Sequence, residues 1–364
     1  MKQTKSVYTM EQKRHEKILP VKYPRITSWP SPANLFSILE TSGKTQDWIY
    51  SNYIQLGISI LSTREHAFDF SVQIVPHEID LFFCPWIMPQ IFSRKHISQY
   101  YSSVQDLIIE AIDSNSYVFM SINMQYAIKA ITGREIGRFP HAVFIYGYSK
   151  DRNKFNVADF TFTDSGAYSY QEVDADLICR GYLDISVNEE YIAYGRKGVY
   201  LLNFVEDTNY KFDPQLVKWS FSDYCSGTGQ NYHIGRAITR NNPIFTGRDE
   251  AGVDSYKLVY EYLSLIANGQ QRATARTPHI LYDHKNLMVY RIEFMIQNEY
   301  IEPDQDILNG VVEIRDKAIQ CRNLWLKCMV SGSTGQIAKI VDGYKYIEEK
   351  ERKLYPQIIQ KIRV

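Results

Sequence analysis

Two residues suited to acid–base chemistry stand at the ends of neighbouring predicted strands. His141 opens the segment HAVFIYGY, and Asp159 closes the segment FNVAD, 18 residues after the histidine. The composition of Ala142–Tyr148 and of Phe155–Ala158 is typical of β-strands. Antiparallel pairing of these strands would bring the imidazole and the carboxylate together, and a carboxylate that orients a histidine base forms half of a nucleophilic triad. The alternative interpretation is a histidine at a strand end that contacts only solvent.

The candidate nucleophile is identified by the similarity of two sequence segments to a known enzyme family. The segment His141–Tyr148 is similar to papain-like cysteine enzymes, in which the catalytic His is followed by Ala-Val, apolar residues and Gly-Tyr, before a strand that delivers Asn or Asp. In that family the nucleophilic Cys opens the first buried helix. The segment ANLFSIL, Ala33–Leu39, resembles this helix start. The resemblance therefore implies a nucleophile at position 33, a base at His141 and an orienting acid at Asp159, and we expect the three to meet at one cleft.

Position 33 carries alanine where the family has a thiol. The place suits a thiolate, because a side chain in the first helical turn lies at the positive end of the helix dipole. Either the sequence is a Cys-to-Ala variant or the protein is a pseudoenzyme. We favour the variant, since the helix start, His141 and Asp159 are all retained, and this form is then an inactive enzyme. Ser31 is a further candidate nucleophile, but it is better placed as the helix N-cap.

The resemblance leaves the oxyanion hole undecided. The family has a Gln at the position of Thr27, six residues before position 33. The backbone N–H of residue 33, together with the hydroxyl of Thr27, Ser28 or Ser31, could bind an oxyanion instead. These three residues are our oxyanion candidates.

Apolar periodicity separates a mixed region from a helical one. Helical patterns occur over Leu35–Leu39, around Trp48–Leu61 and over Val104–Ile112, and Tyr117–Ile122 has strand composition. After about residue 210, four long segments have helical spacing: 252–267, 278–299, 304–329 and 335–361. The sequence predicts an α+β protein, namely a papain-like cysteine-peptidase fold with an additional mostly α-helical C-terminal region. The predicted domains are a flexible N-terminal arm (1–24), a papain-like catalytic module (25–209) and a helical C-terminal region (210–364).

Composition excludes several functional classes. The 41 Lys and Arg residues balance 41 Asp and Glu residues, so a nucleic-acid partner is not expected. No apolar run approaches the roughly 20 residues of a membrane span, and no secretory leader is recognisable, so we expect a cytoplasmic protein. Five cysteines without a C-x-x-C pair predict neither a disulfide framework nor structural zinc, and no cofactor motif is present. Cys84, Cys321, Cys328 and His284 are expected in the core, and Gly332 at a helix cap.

A papain-like module followed by helices resembles the cysteine-peptidase-like proteins of bacterial natural-product pathways, which include butirosin-type acyltransferases and an amide-forming member in the closthioamide pathway. The resemblance implies acyl transfer from the phosphopantetheine thioester of an acyl or peptidyl carrier protein, through an enzyme cysteine, to an amine acceptor. The long helices could also form a homodimer. Two alternatives remain: an intracellular cysteine peptidase or hydrolase that uses the same residues, and a noncatalytic scaffold in which Ala33 is native.

Overall fold

The structure, a computed structural model, describes residues 15–60, 68–71, 81, 84–186, 188–189, 197–227 and 249–364. The strands are β1 (Glu16–Ile18), β2 (Gly57–Ile60), β3 (Phe68–Ser71), β4 (Ile87–Phe92), β5 (Ser116–Asn123), β6 (Pro140–Ser149), β7 (Lys154–Asp159), β8 (Ser169–Asp174), β9 (Val199–Phe204) and β10 (Asp249–Ala251). The helices are α1 (Pro30–Leu39), α2 (Gln46–Ser51), α3 (Arg94–Tyr100), α4 (Val104–Asp113), α5 (Gln125–Thr132), α6 (Ala175–Leu183), α7 (Pro214–Ser226), α8 (Tyr256–Ala267), α9 (Arg276–Gln297), α10 (Gln305–Ser331) and α11 (Ile337–Lys361).

The protein belongs to the α+β class, as the sequence predicted. The larger sheet has the strand order β4-β9-β5-β6-β7-β8, and β1 pairs with β6 beside this path. The pairs β9–β5, β5–β6, β6–β7 and β7–β8 are all antiparallel. Strands β10, β2 and β3 form a second, three-stranded antiparallel sheet.

The described residues divide into two compact units, each built from several stretches of chain. The first unit comprises Met1–Pro20, Gln90–Glu190 and Gly198–Asn203, and contains most of the larger sheet. The second comprises Val21–Pro89, Tyr191–Lys197 and Phe204–Val364, and contains the long helices. Residues 21–89 thus group with the helical region, whereas the sequence analysis grouped residues 25–209 together. The domain boundaries at residues 24 and 209 stay sequence predictions.

The larger sheet is built around two buried central strands. All eight residues of β5 are buried, as are residues 142–149 of β6. The β6–β7 register shifts between Ile145 and Gly147, and a Cβ at Gly147 would lie 2.9 Å from the Lys17 carbonyl oxygen on β1. Glycine therefore permits β1 to pair closely with β6. Residues 16–18 of the predicted flexible arm (1–24) form this strand, while the first 14 residues of the arm lie outside the described part of the chain.

The long helices of the second unit pack in sequence order. Helix α9 packs on α10, α10 packs on α11, and α11 also contacts α7 and α8. A Cβ at Gly343 of α11 would overlap the Cys321 thiol of α10, so a glycine is needed where these two helices approach. Helix α9 carries charged residues inside the unit, where Arg291 donates to the carbonyl oxygens of Tyr50, Asn52 and Tyr53.

Most of the predicted elements are confirmed, with one clear exception. Helix α4 matches the prediction over Val104–Ile112, and the four long C-terminal helical predictions match α8 to α11. The predicted helix over Trp48–Leu61 is wrong beyond Ser51, because α2 ends there and β2 begins at Gly57. The cap prediction holds, since Gly332 ends α10 in the left-handed conformation, and the predicted core residues Cys84, Cys321, Cys328 and His284 are all buried.

Candidate functional site

Strands β6 and β7 place His141 and Asp159 on the same face of the sheet. Phe144 pairs with Ala158 in the antiparallel register, so Val143 is the residue across from Asp159. His141 lies two residues before Val143 on β6, and residues two apart on a strand point to the same face. The histidine is therefore a diagonal cross-strand neighbour of the carboxylate, within reach of a long side chain.

The two side chains are in contact. His141 Nε2 lies 3.2 Å from Asp159 Oδ2, and the side chain of Asp159 is 2% exposed whereas that of His141 is 27% exposed. The other carboxylate oxygen, Oδ1, accepts a hydrogen bond of 2.8 Å from the Thr161 backbone N–H. Both oxygens of this buried carboxylate thus have a polar neighbour, as a buried charge requires. Asp159 is fixed in place, and the imidazole beside it is partly accessible.

The carboxylate lies beside one of the two ring nitrogens. The 3.2 Å approach of Asp159 Oδ2 to Nε2 does not meet hydrogen-bond geometry, so it does not by itself fix the tautomer. Proton exchange with a nucleophile would use the other nitrogen, Nδ1. The imidazole also stacks on Phe139, with ring centroids 5.3 Å apart and an interplanar angle of 16°. A carboxylate at its edge and an aromatic ring on its face hold the imidazole in one orientation.

Ala33 lies near the start of α1, in the second unit. The helix begins at Pro30 and its N-cap is Trp29, so the predicted N-cap Ser31 is instead the second helical residue. The N-cap prediction is wrong because Pro30, rather than Pro32, takes the first helical position that proline favours, which moves the helix start two residues toward the N-terminus. The Ala33 backbone N–H donates a 3.0 Å hydrogen bond to the Trp29 carbonyl oxygen, so it is not an oxyanion donor. Because Ala33 and His141 belong to different units, their predicted meeting at a cleft stays a prediction.

One of the three oxyanion candidates has other partners. The Thr27 backbone N–H donates to Asp283 Oδ2 at 2.8 Å, and the Thr27 hydroxyl lies 2.7 Å from His279 Nε2. Ser28 lies close enough to the same Asp283 carboxyl to lower its pKa. The hydroxyls of Ser28 and Ser31 are both buried and satisfy hydrogen-bond geometry with no partner among the described residues. Ser28 and Ser31 are therefore the candidates whose hydroxyls remain uncommitted.

The residues that hold Thr27 were not found from the sequence. Burial raises the pKa of Asp283 to about 7, although hydrogen bonds from Thr27 and Ser28 oppose the rise. Burial, together with the Arg322 charge, lowers the pKa of His279 to about 4. A base with so low a pKa accepts a proton poorly at neutral pH, which argues against Thr27 and His279 as a nucleophile and its base. We interpret this cluster as the anchor that ties the segment before α1 to α9.

The Asp283 anchor predicts a pH dependence of stability. A carboxyl whose pKa is near 4 unfolded and about 7 folded stabilises the fold below pH 4, and this contribution is lost as the pH rises through 7. Between pH 6 and pH 8 the free energy of unfolding should therefore lose about 1 kcal/mol to this group. His279 acts in the opposite direction, since its folded pKa is depressed. The Asp283→Asn variant removes only the contribution of the Asp283 carboxyl to this pH dependence, because it retains His279.

Urea unfolding at pH 6 and pH 8 checks this prediction. The difference in unfolding free energy between the two pH values should shift by about 1 kcal/mol in Asp283→Asn relative to the unsubstituted chain. Replacement of the exposed Asp316 on α10 by Asn is the control and should cause no such shift. An identical pH dependence in the unsubstituted chain and Asp283→Asn would contradict the raised pKa.

The described residues contain no cluster of three or more His, Cys, Asp or Glu side chains arranged to hold a metal ion. Within the same residues, no helix is both long enough and apolar enough to cross a membrane. No known protein family matches the chain, and no curated protein sequence matches it either.

Proposed function

We propose that this protein is a papain-like acyltransferase that forms an amide bond in natural-product biosynthesis. In this proposal position 33 supplies the nucleophile when it carries cysteine, His141 transfers the proton, and Asp159 orients His141. The observation that best supports the proposal is the 3.2 Å contact between a partly accessible histidine and a buried carboxylate that the Thr161 N–H also holds. A histidine oriented in this way is the general base that thiol and hydroxyl nucleophiles need.

The proposed reaction has two proton-coupled steps. A thiolate at position 33 attacks the carbonyl carbon of a thioester carried by phosphopantetheine on an acyl or peptidyl carrier protein. The C–S bond to pantetheine breaks, His141 protonates the departing thiol, and the acyl group remains on the enzyme as a new thioester. An amine then attacks this thioester, His141 takes the amine proton, and the enzyme thiol leaves with its electron pair. Asp159 stabilises the imidazolium that is paired with the thiolate before the first step and forms again when His141 takes the amine proton.

The fate of the acyl-enzyme distinguishes a transferase from a hydrolase. Both reactions use the same three positions, and only the acceptor, an amine or water, differs. A thioester is more reactive than an amide, so the machinery that opens amides also makes them when water is excluded. We favour transfer because the resemblance described above is to proteins that use thioester donors. A cysteine peptidase or hydrolase is the alternative, and a noncatalytic scaffold with a native Ala33 is the third.

Intact-mass analysis of the Ala33→Cys variant tests the proposal. Incubated with acylated carrier proteins or with N-acetylcysteamine thioesters, the variant should gain the mass of one acyl group and lose it when an amine is added. The chain with Ala33 is the matched control and should gain no mass. His141→Ala in the Ala33→Cys background should slow acylation by about 10² to 10⁴-fold.

Other outcomes of this experiment would support the two alternative functions. Loss of the acyl group to water at the same rate as to an amine would support the hydrolase. No acylation from any donor, under conditions in which the variant is folded, would contradict both enzymatic functions and support the scaffold.

A further inference from the structure

A cavity in the first unit lies against the His141–Asp159 pair. It has a volume of about 430 Å³, within the range of small-molecule sites. The hydrophobic residues Ile128, Ile136, Phe139 and Phe160 line it. Ile136 is 38% exposed and Phe139 is 39% exposed, so two large apolar side chains remain partly in contact with solvent here. An apolar lining in a concave site suits the binding of an apolar ligand.

Two residues of the cavity wall contact the histidine–carboxylate pair directly. Phe139 stacks on the His141 ring, and the Thr161 backbone N–H donates to Asp159 Oδ1. Both Phe139 and Thr161 line the cavity. A molecule bound in the cavity would therefore lie one residue away from both members of the pair.

The charges at the cavity are paired. Arg134 Nε lies 3.5 Å from Asp164 Oδ1, and its guanidinium also donates to the Thr161 carbonyl oxygen at 2.6 Å. Arg138 binds both carboxylate oxygens of Glu189. Because each guanidinium already has a carboxylate, the wall offers an anion little net attraction. The lining fits a neutral apolar group better than a charged one.

We propose that this cavity binds a neutral, apolar acyl side chain of the substrate, either aromatic or branched aliphatic. The inference rests on the proposed function, since it assigns the cavity to the acyl group that the position 33 nucleophile would carry. The apolar lining supplies the affinity. Contact of the wall with both His141 and Asp159 places the bound group beside the residue that transfers the proton and the residue that orients it.

Gly137 provides a way to block the cavity without strain. It lines the cavity, its backbone is not left-handed, and a Cβ added there meets no atom within 4 Å. Gly137→Leu should therefore fold normally and occupy the space of a ligand. Gly43 in the second unit also has open space at its Cβ and no left-handed backbone, so Gly43→Leu is the matched control.

The experiment measures binding without catalysis. Three probes are used at low-millimolar concentration: 4-fluorotoluene, 4-fluorobenzyl alcohol and 4-fluorobenzoate. Fluorine NMR follows the broadening of each probe's resonance when the unsubstituted chain is added. The two neutral probes should broaden, and the benzoate should bind several-fold more weakly. Gly137→Leu should lower the affinity for the neutral probes at least about tenfold, while Gly43→Leu should not change it.

Three results would overturn the inference. They are no binding of either neutral probe, equal affinity of Gly137→Leu and the unsubstituted chain for the neutral probes, or tighter binding of the benzoate than of the neutral probes. The failure of the proposed function is recognised separately. If the neutral probes bind in a Gly137-dependent way but Ala33→Cys accepts no acyl group, the cavity stands as an apolar binding site and the acyltransferase does not. If Ala33→Cys is acylated equally well with and without Gly137→Leu, the acyltransferase stands and the cavity assignment fails.

Discussion

A cysteine introduced at position 33 is expected to alkylate faster at pH 6 than any of the five natural cysteines, and about 10²-fold faster than Cys179 or Cys225. Burial raises the pKa of Cys179 and of Cys225 to about 11, and that of Cys321 to about 12, while Cys84 and Cys328 are buried as well. The thiols of Cys179, Cys225 and Cys321 therefore remain protonated at neutral pH. A thiol beside an imidazolium at a helix start typically has a pKa between about 4 and 7.

The expected factor follows from two opposing effects. At pH 6 a thiol with a pKa near 6.5 has about 10⁴ times the thiolate fraction of one with a pKa near 11. The more acidic thiolate is intrinsically less nucleophilic, which removes about 10² of this advantage. Helix α1 contributes only part of the pKa depression, because Pro30 and Pro32 lack N–H groups that would otherwise point toward the thiolate. His141 is therefore expected to supply most of it.

Peptide mapping after brief treatment with iodoacetamide checks this prediction. The peptide with residue 33 should be modified first in Ala33→Cys, and His141→Ala in the same background should remove the advantage. Asp159→Asn should reduce it, because an amide stabilises the imidazolium less than a carboxylate does. If the introduced thiol reacts no faster than the natural five, position 33 is not a nucleophile site and the scaffold function is supported.

Local patterns in the sequence sufficed for the histidine–carboxylate pair. His141 and Asp159 stand on consecutive strands joined by a short turn, so antiparallel pairing alone brings them within reach of each other. The long C-terminal helices could also be predicted from the sequence, because each repeats its apolar positions over many turns. The helix predicted after Trp48 was wrong for the opposite reason. Helix α2 is only six residues long, and a short apolar run does not distinguish helix from strand.

The Asp283 anchor could not be predicted from local patterns. Thr27 and Asp283 are 256 residues apart, and neither residue signals its partner. One feature of the sequence does point to α9: three consecutive polar residues, Asp283, His284 and Lys285, interrupt a helix with many apolar residues. Consecutive residues are about 100° apart around a helix, so a helix that is packed on most of its sides buries at least one of three in a row. In the structure all three are buried, each against a different partner.

Lys285 forms the centre of a buried polar cluster in the second unit. Its Nζ lies 2.6 Å from Glu351 Oε1 of α11 and donates to the Tyr224 hydroxyl of α7 at 2.9 Å. The hydroxyls of Tyr224 and Tyr355 in turn donate to the two oxygens of Glu351, at 2.8 and 2.9 Å. Burial lowers the pKa of Lys285, and the charge of Glu351 opposes this effect. The cluster links three helices and is nearly inaccessible to water.

Removal of one partner of this pair is expected to cost about 3 to 5 kcal/mol of unfolding free energy, because the remaining charge stays buried without compensation. Glu351→Gln and Lys285→Met should each show this loss in urea unfolding. The double variant should be less destabilised than the sum of the two single variants, since it leaves no lone charge.

Lys353 and Glu349 on α11 are a matched control: their N–O distance is also 2.6 Å, but their side chains are 70% and 69% exposed. Glu349→Gln should cost less than about 1 kcal/mol. Equal losses at the buried and exposed pairs, or strict additivity in the double variant, would show that burial does not set the strength of the Lys285–Glu351 interaction.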